Sequence, residues 1–301
     1  MQLGRIAVWL GSFGVAPAAQ ARPAARRIEE LGYPMLWFGE GLGTRESFTN
    51  AAVLLAATER LRVASGIANI WGRDPVAAAN AARVLADAFD ERYLLGLGVS
   101  HPRQVDPRGH RYRNPVERMA SYLDAMDDDP YVTPEGEAVS RPPVPRVLAA
   151  LRPRMLRLSV EKALGAHSYL VPVEHTRRAR ELLGPEALLI PEQKVVLARN
   201  AAEGLRLARA ALAWYLDTPN YVANLRWLGF GDEDFEHGGS DRLVDALVAV
   251  GDEEAIRARV DEHLAAGATQ VAIQPIEADD PFGLETLTRL APVLLVTAGD
   301  H

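Results

Sequence analysis

The sequence predicts a TIM (β/α)8 barrel, and three observations carry that prediction. Eight short strand-like runs alternate with helical stretches along the whole chain. Those runs are apolar throughout, as parallel strands buried on both faces must be. A length of 301 residues accommodates eight such units, read as one domain spanning 1–301. The rival is a doubly wound open sheet, which opens on a glycine-rich dinucleotide fingerprint. "GSFG" (11–14) lacks its spacing and "GLGVS" (96–100) is only a fragment of it.

In chain order, "RIAVWLG" (5–11) precedes a helix that stops at Gly32, a left-handed cap. "PMLWFGE" (34–40) precedes "SFTNAAVLLAATE", and "RVASGIANI" (62–70) precedes a helix opened by Asp74 as N-cap with Pro75 behind it. "RYLLGLGVS" (92–100) leads through a polar loop into "NPVERMASYLDAMD". "PRVLAAL" (145–151) leads into a helix that starts at Pro153, and "AHSYLVP" (166–172) into "EHTRRARELLG". "KVVLA" (194–198) is the seventh strand, with Lys194 at its start, followed by a helix with Asn200 and Glu203 at capping-box spacing. "TQVAIQPI" (269–276) is the eighth, closed by a helix near 281–291. Two stretches fall outside the basic unit. Residues 127–144 are acidic and proline-rich and predict a mobile connection. Residues 218–240 form an insertion between the seventh and eighth units, rich in aromatic side chains, that would act as a lid or a subunit contact.

Composition narrows the chemistry. The absence of cysteine removes disulfides, thiolate zinc sites and cysteine nucleophiles. A net charge of −7 argues against affinity for nucleic acid or anionic lipid. No apolar run reaches the roughly 18 residues of a membrane span, and "MQLGRIAVWLGSF" reads as a first strand, so the expected location is cytoplasmic. Only Lys162 and Lys194 could form a Schiff base; one lies in a helix and the other at the predicted start of a strand.

In a TIM barrel, functional groups gather where strands end. Here those positions include Gly11, Ser12, Glu40, Gly66, Ile67, Asn69, Trp71, Ser100, His101, Ala150, Leu151, Arg152, Arg154, His167, Tyr169 and Gln274. The histidines have no metal-binding spacing, there is no carboxylate cluster for a divalent metal, and no G-x-S-x-G elbow occurs. Few of these groups ionise. Such a mouth suits a broad planar cofactor that performs the difficult chemistry itself.

Four stretches, "LGYPMLWFGEG", "ASGIANIWGRDP", "LLGLGVSH" and "YRNPVERMASYLDAM", resemble the luciferase-like flavin and deazaflavin superfamily, and within it the actinobacterial-type oxidoreductases that use coenzyme F420. The resemblance extends over almost the whole chain. It implies a homodimeric barrel with the ring at the carboxyl ends of the strands. It also implies a bulge in strand three, at a cis Gly66–Ile67 bond, that backs the ring. Asn69 would orient the ring's polar edge or make a local turn bond. Glu40 matches an acidic residue that relatives follow with a catalytic His; here Gly41 follows, a departure that puts the corresponding acid–base chemistry in doubt. His101, where some relatives carry a carboxylate, is the candidate proton donor or substrate contact, or else a loop histidine. His167 either faces the pocket or sits in the core. F420 carries a phosphodiester and a polyglutamate tail; Ala150 and Leu151, with Arg152 or Arg154 at a helix amino end, would receive it, and Ser100 is a further candidate cofactor contact.

The function implied is hydride transfer between the deazaflavin C5 and a small organic substrate. The alternatives are an FMN-dependent two-component monooxygenase and a barrel that binds a flavin or deazaflavin without turnover.

Overall fold

The computed structural model describes residues 3–128, 131–139 and 141–295. In chain order the strands are β1 (Ile6–Trp9), β2 (Met35–Phe38), β3 (Arg62–Ser65), β4 (Ala68–Asn69), β5 (Tyr93–Gly98), β6 (Tyr131–Val132), β7 (Ala138–Val139), β8 (Arg146–Ala149), β9 (Gly165–Ser168), β10 (Leu188–Leu197), β11 (Val248–Gly251) and β12 (Val271–Pro275). The helices are α1 (Ala18–Glu30), α2 (Ser47–Leu55), α3 (Pro75–Ala88), α4 (Pro102–Val105), α5 (Pro115–Asp127), α6 (Pro153–Lys162), α7 (Val173–Leu183), α8 (Ala201–Leu216), α9 (Pro219–Trp227), α10 (Asp241–Leu247), α11 (Glu253–Ala265) and α12 (Leu284–Leu294).

Strands β1, β2, β3, β5, β8, β9, β10 and β12 pair in parallel in that order, and β12 closes on β1. This is the predicted barrel. Helix starts follow the predicted chemistry: Asp74 accepts the Val76 and Ala77 amides, and Asn200 accepts those of Ala202 and Glu203.

The seventh strand departs from expectation. β10 starts at Leu188, so Lys194 lies well inside the strand. "PEQK" interrupts its apolar run, which is why the pattern shows only the second half. Leu188–Pro191 pair with β9, and beyond the end of β9 the same edge takes β11 from Lys194 to Leu197. β11 is an addition that eight βα units do not contain. Within the 127–144 connection, β6 and β7 pair as a small antiparallel hairpin.

The barrel interior is filled by Ala7, Trp9, Met35, Trp37, Ala64, Leu94, Val147, Ile190 and Ala272, large side chains alternating with small ones. Among the described residues no helix is long and apolar enough to cross a membrane.

Three histidines are buried whole. His167 and His175 donate to the Ile190 and Leu151 carbonyls, and His263 bridges Gln193 and Thr176. Burial pushes the first two down to about 4 and His263 to about 3. They are neutral in the folded protein, whereas the unfolded chain takes up these protons below about pH 6.5. Their stabilising contribution is complete above that pH and is lost as pH falls toward 4, at roughly 1.4 kcal/mol per pH unit for each ring. Urea unfolding between pH 7.5 and 4.5 should therefore show a steep loss of stability, lessened in His263→Gln. A flat profile would contradict this account.

Candidate active site

At the carboxyl end of β3 the chain gains one residue over its neighbour. Ala64 faces Leu94 and Ala68 faces Leu97, four steps against three on β5. The extra residue lies in the Gly66–Ile67 segment, whose peptide bond is cis. Both residues are partly open to solvent within an otherwise buried strand. The Ser65 hydroxyl spans the gap in the ladder, donating to the Gly96 carbonyl at 2.8 Å and accepting its amide at 2.9 Å. Ile67 lies against Gly98, where a Cβ would come within 2.4 Å of its Cγ1. Gly98 is small because the bulge needs that space.

The floor beneath the bulge is aromatic. Trp37 stacks on His167 at 4.6 Å, and Trp9 packs against Tyr169 at 4.7 Å. A Cβ on Gly66 would stand 2.6 Å from Trp9 Nε1 and 3.2 Å from His167 Nε2. Both nitrogens are buried without a hydrogen-bond partner. His167 thus belongs to the barrel core and touches the underside of the bulge.

Glu40 ties the bulge to strand two. Its carboxylate accepts the Asn69 amide at 2.7 Å and the Ser47 amide at 3.2 Å, and it pairs with Arg73. Arg73 also pairs with Glu46 at 2.8 Å. This buried carboxylate holds backbone in place, which is a positioning role. The Asn69 side chain accepts the Trp71 amide at 3.0 Å, so the local turn bond is the one observed.

Across from Tyr169 stand the rings of α8 and α9. Tyr215 of α8 and Tyr221 of α9 meet Tyr169 at 5.5 and 6.2 Å, and His101 lies 5.3 Å from Tyr221. His101 Nδ1 is buried without a partner. Burial, with Arg103 nearby, holds this imidazole down at about 4. It is therefore neutral at pH 7, not titrating near working pH as the unperturbed value suggests. Below these rings Lys194 Nζ is bonded to Glu192 at 3.1 Å, the Tyr169 hydroxyl at 3.0 Å and Gln274 at 3.2 Å. Lys194 and Glu192 side chains are each 1% exposed. With three partners on its ammonium, Lys194 is a structural cation.

On the third side, Ala150 donates its amide to the His167 carbonyl, and its own carbonyl accepts the Ser168 hydroxyl. Helix α6 then begins after Arg152 with no side-chain cap, leaving its amino end available to an anion. Arg152 reaches Asn220 at 3.4 Å, while exposed Arg154 is paired with Glu117 of α5. Ser100 takes a left-handed φ of 57° at the turn before His101. Among the described residues no group of three or more metal-ligating side chains forms.

The family model for luciferase-like monooxygenases matches residues 2–270. The chain belongs to this family. A Mycobacterium tuberculosis protein named as a coenzyme F420-dependent oxidoreductase is 28% identical over 123 residues, 40% of this chain and 35% of the relative. That match thus spans about a third of the relative's length. The F420-dependent tetrahydromethanopterin reductase of Methanopyrus kandleri superposes with a TM-score of 0.77 over 97% of this chain and 100% of the other, at 14% identity. The FMN complex of the oxygenating constituent of 3,6-diketocamphane monooxygenase from Pseudomonas putida gives 0.68 over 99% and 100%, at 16%. These likenesses show a shared fold.

Within this luciferase-like barrel, sequence reasoning passed over Trp9, Glu192 and the importance of Lys194. Trp9 sits in an apolar run and looks like any core residue. Glu192 and Lys194 did leave a signal: two opposite charges at i, i+2 inside a strand share one face.

Proposed function

We propose that this luciferase-like protein is an F420-dependent oxidoreductase that moves a hydride between the deazaflavin C5 and a small organic substrate. The observation that carries the reading is the bulge at Gly66–Ile67. It opens a patch of backbone at the mouth, over a floor that includes Trp9 and His167. The residues present fit a flat ring attached to an anion. The bulge offers a flat backing, His101 Nδ1 is an unpartnered buried polar atom, and the amino end of α6 lies uncapped beside Arg152. The M. tuberculosis relative and the M. kandleri enzyme support the choice of deazaflavin.

When bound, the deazaflavin supplies a carbon that gives and accepts hydride. In this reading Gly66 and Ile67 back one face of the ring, leaving the other to substrate. Neutral His101 accepts or donates a hydrogen bond at the substrate's polar atom. Glu40 and Arg73 keep the bulge in register, and Arg152 with the α6 amides meets the phosphodiester. The rings of Tyr215 and Tyr221 exclude water from the mouth.

Fluorescence titration of the purified protein with F420 and with FMN tests the assignment. F420 is expected to bind at least about tenfold more tightly, a difference of roughly 1.4 kcal/mol, and substrate turnover should consume no dioxygen. Tighter binding of FMN would overturn it.

A further inference from the structure

The segment 101–118, "HPRQVDPRGHRYRNPVER", holds five arginines and two acids in a chain whose net charge is −7. It follows β5, so it rises at the mouth of the barrel. Its two acids are engaged elsewhere: Asp106 accepts the Tyr112 amide at 3.2 Å, and Glu117 pairs with Arg154. Arg103 covers the Trp214 ring at 4.7 Å, and Arg118 covers Trp71 at 5.1 Å. Arg108, Arg111 and Arg113 are exposed, and no hydrogen bond or ion pair joins them to any described residue. Other exposed arginines without an acidic partner, such as Arg22, Arg157 and Arg206, are scattered along the chain, whereas these three fall within six residues of one loop.

The loop is anchored at the rim. Trp71, directly beyond the bulge, donates to the Val99 carbonyl at 3.0 Å and is faced by His110 at 5.5 Å and Tyr112 at 6.4 Å. Arg108 Nη1 lies 3.1 Å from the point where a Cβ on Gly72 would stand. Burial raises the Tyr112 phenol above its usual value, and the nearby charge of Arg152 opposes that rise. Arg108 and Arg152 therefore bracket the sector of the mouth between the bulge and α6, with Arg111 and Arg113 on either side of Tyr112. Uncompensated like charge in one sector favours a ligand that brings several negative charges along an extended chain.

We propose that Arg108, Arg111 and Arg113, together with Arg152, form a landing surface for a polyanionic tail, a phosphodiester continued by carboxylates, joined to the ring that lies on the bulge. The inference rests on the F420 reading and adds what selects that cofactor over one ending in a single phosphate. Each exposed pair contributes little alone, so the effect lies in their number and is screened by salt.

The test titrates the protein with polyglutamylated F420, with the tail-less deazaflavin riboflavin analogue and with FMN, at low and high salt. At low salt F420 should bind about tenfold more tightly than the tail-less form, an advantage that shrinks to about twofold near 0.5 M salt. The triple variant Arg108→Gln/Arg111→Gln/Arg113→Gln should lose most of that advantage, keeping only the part that Arg152 and the α6 amides supply, while its affinity for the tail-less form and its melting temperature stay unchanged; a triple variant that keeps the full advantage would overturn the landing surface. Equal affinity of the two deazaflavins for the unmodified protein would overturn the landing surface and leave the F420 reading standing. Binding of FMN alone would overturn both.

Discussion

Gly66→Ala is expected to destabilise the protein by about 2 kcal/mol, the usual range for a methyl forced into a full core, and to weaken cofactor binding more than tenfold. The added Cβ would meet Trp9 Nε1 at 2.6 Å and His167 Nε2 at 3.2 Å. Neither ring can yield cheaply. Trp9 is packed on Tyr169 and His167 is stacked on Trp37 and bonded to the Ile190 carbonyl. The bulge itself must therefore move, and with it the surface offered to the ring. A double-mutant cycle with Trp9→Leu, read by urea unfolding and by F420 titration, measures the coupling. Trp9→Leu/Gly66→Ala should recover part of the stability that Gly66→Ala loses. A Gly66→Ala protein with unchanged stability and affinity would show that the floor does not set the bulge's position.

The second large effect is expected at Lys194. Lys194→Met removes the cation from a buried carboxylate whose only other hydrogen-bond partner among the described residues is the Leu170 amide, at 3.0 Å. Leaving one member of a buried ion pair uncompensated costs about 3–5 kcal/mol. The double variant Glu192→Gln/Lys194→Met should regain much of that loss, because no charge then remains buried. Thermal and urea unfolding of the two variants check this, and a single variant as stable as the unmodified protein would contradict it. Tyr169 and Gln274 also lose the ammonium that now orients them. The single variant should therefore loosen the packing of Tyr169 on Tyr215 and Tyr221, visible in near-ultraviolet circular dichroism.

How much of the site was legible follows from what each residue's signal depends on. Gly66–Ile67 was readable because "ASGIANIWGRDP" places small and polar residues at the end of an apolar strand, in a stretch resembling a family with a bulge there. The caps Asp74 and Asn200 were readable because they act on amides two and three residues away. Glu40 was found, but not its work, since its partners Asn69 and Arg73 lie about thirty residues on. The protonation of His101 was not legible for a similar reason: a residue type carries an unperturbed value, while burial in the folded chain, with Arg103 nearby, lowers it. The start of β10 was missed because Pro191, Glu192 and Lys194 look like a loop until two neighbouring strands pair with them.

By itself the sequence determined the barrel, the order of its units and the helix starts, because apolar periodicity and capping act over a few residues. It also placed Gly66 and Ile67 just beyond the end of the third strand, and Ser100 and His101 just beyond the fourth. Tertiary structure alone decided what those residues do there. The stacking of Trp9 and His167 under Gly66, the burial of the Lys194–Glu192 pair and the placing of Tyr221 over His101 are contacts between distant strands and helices. Their energies depend on desolvation and close packing, and neither exists until the barrel closes.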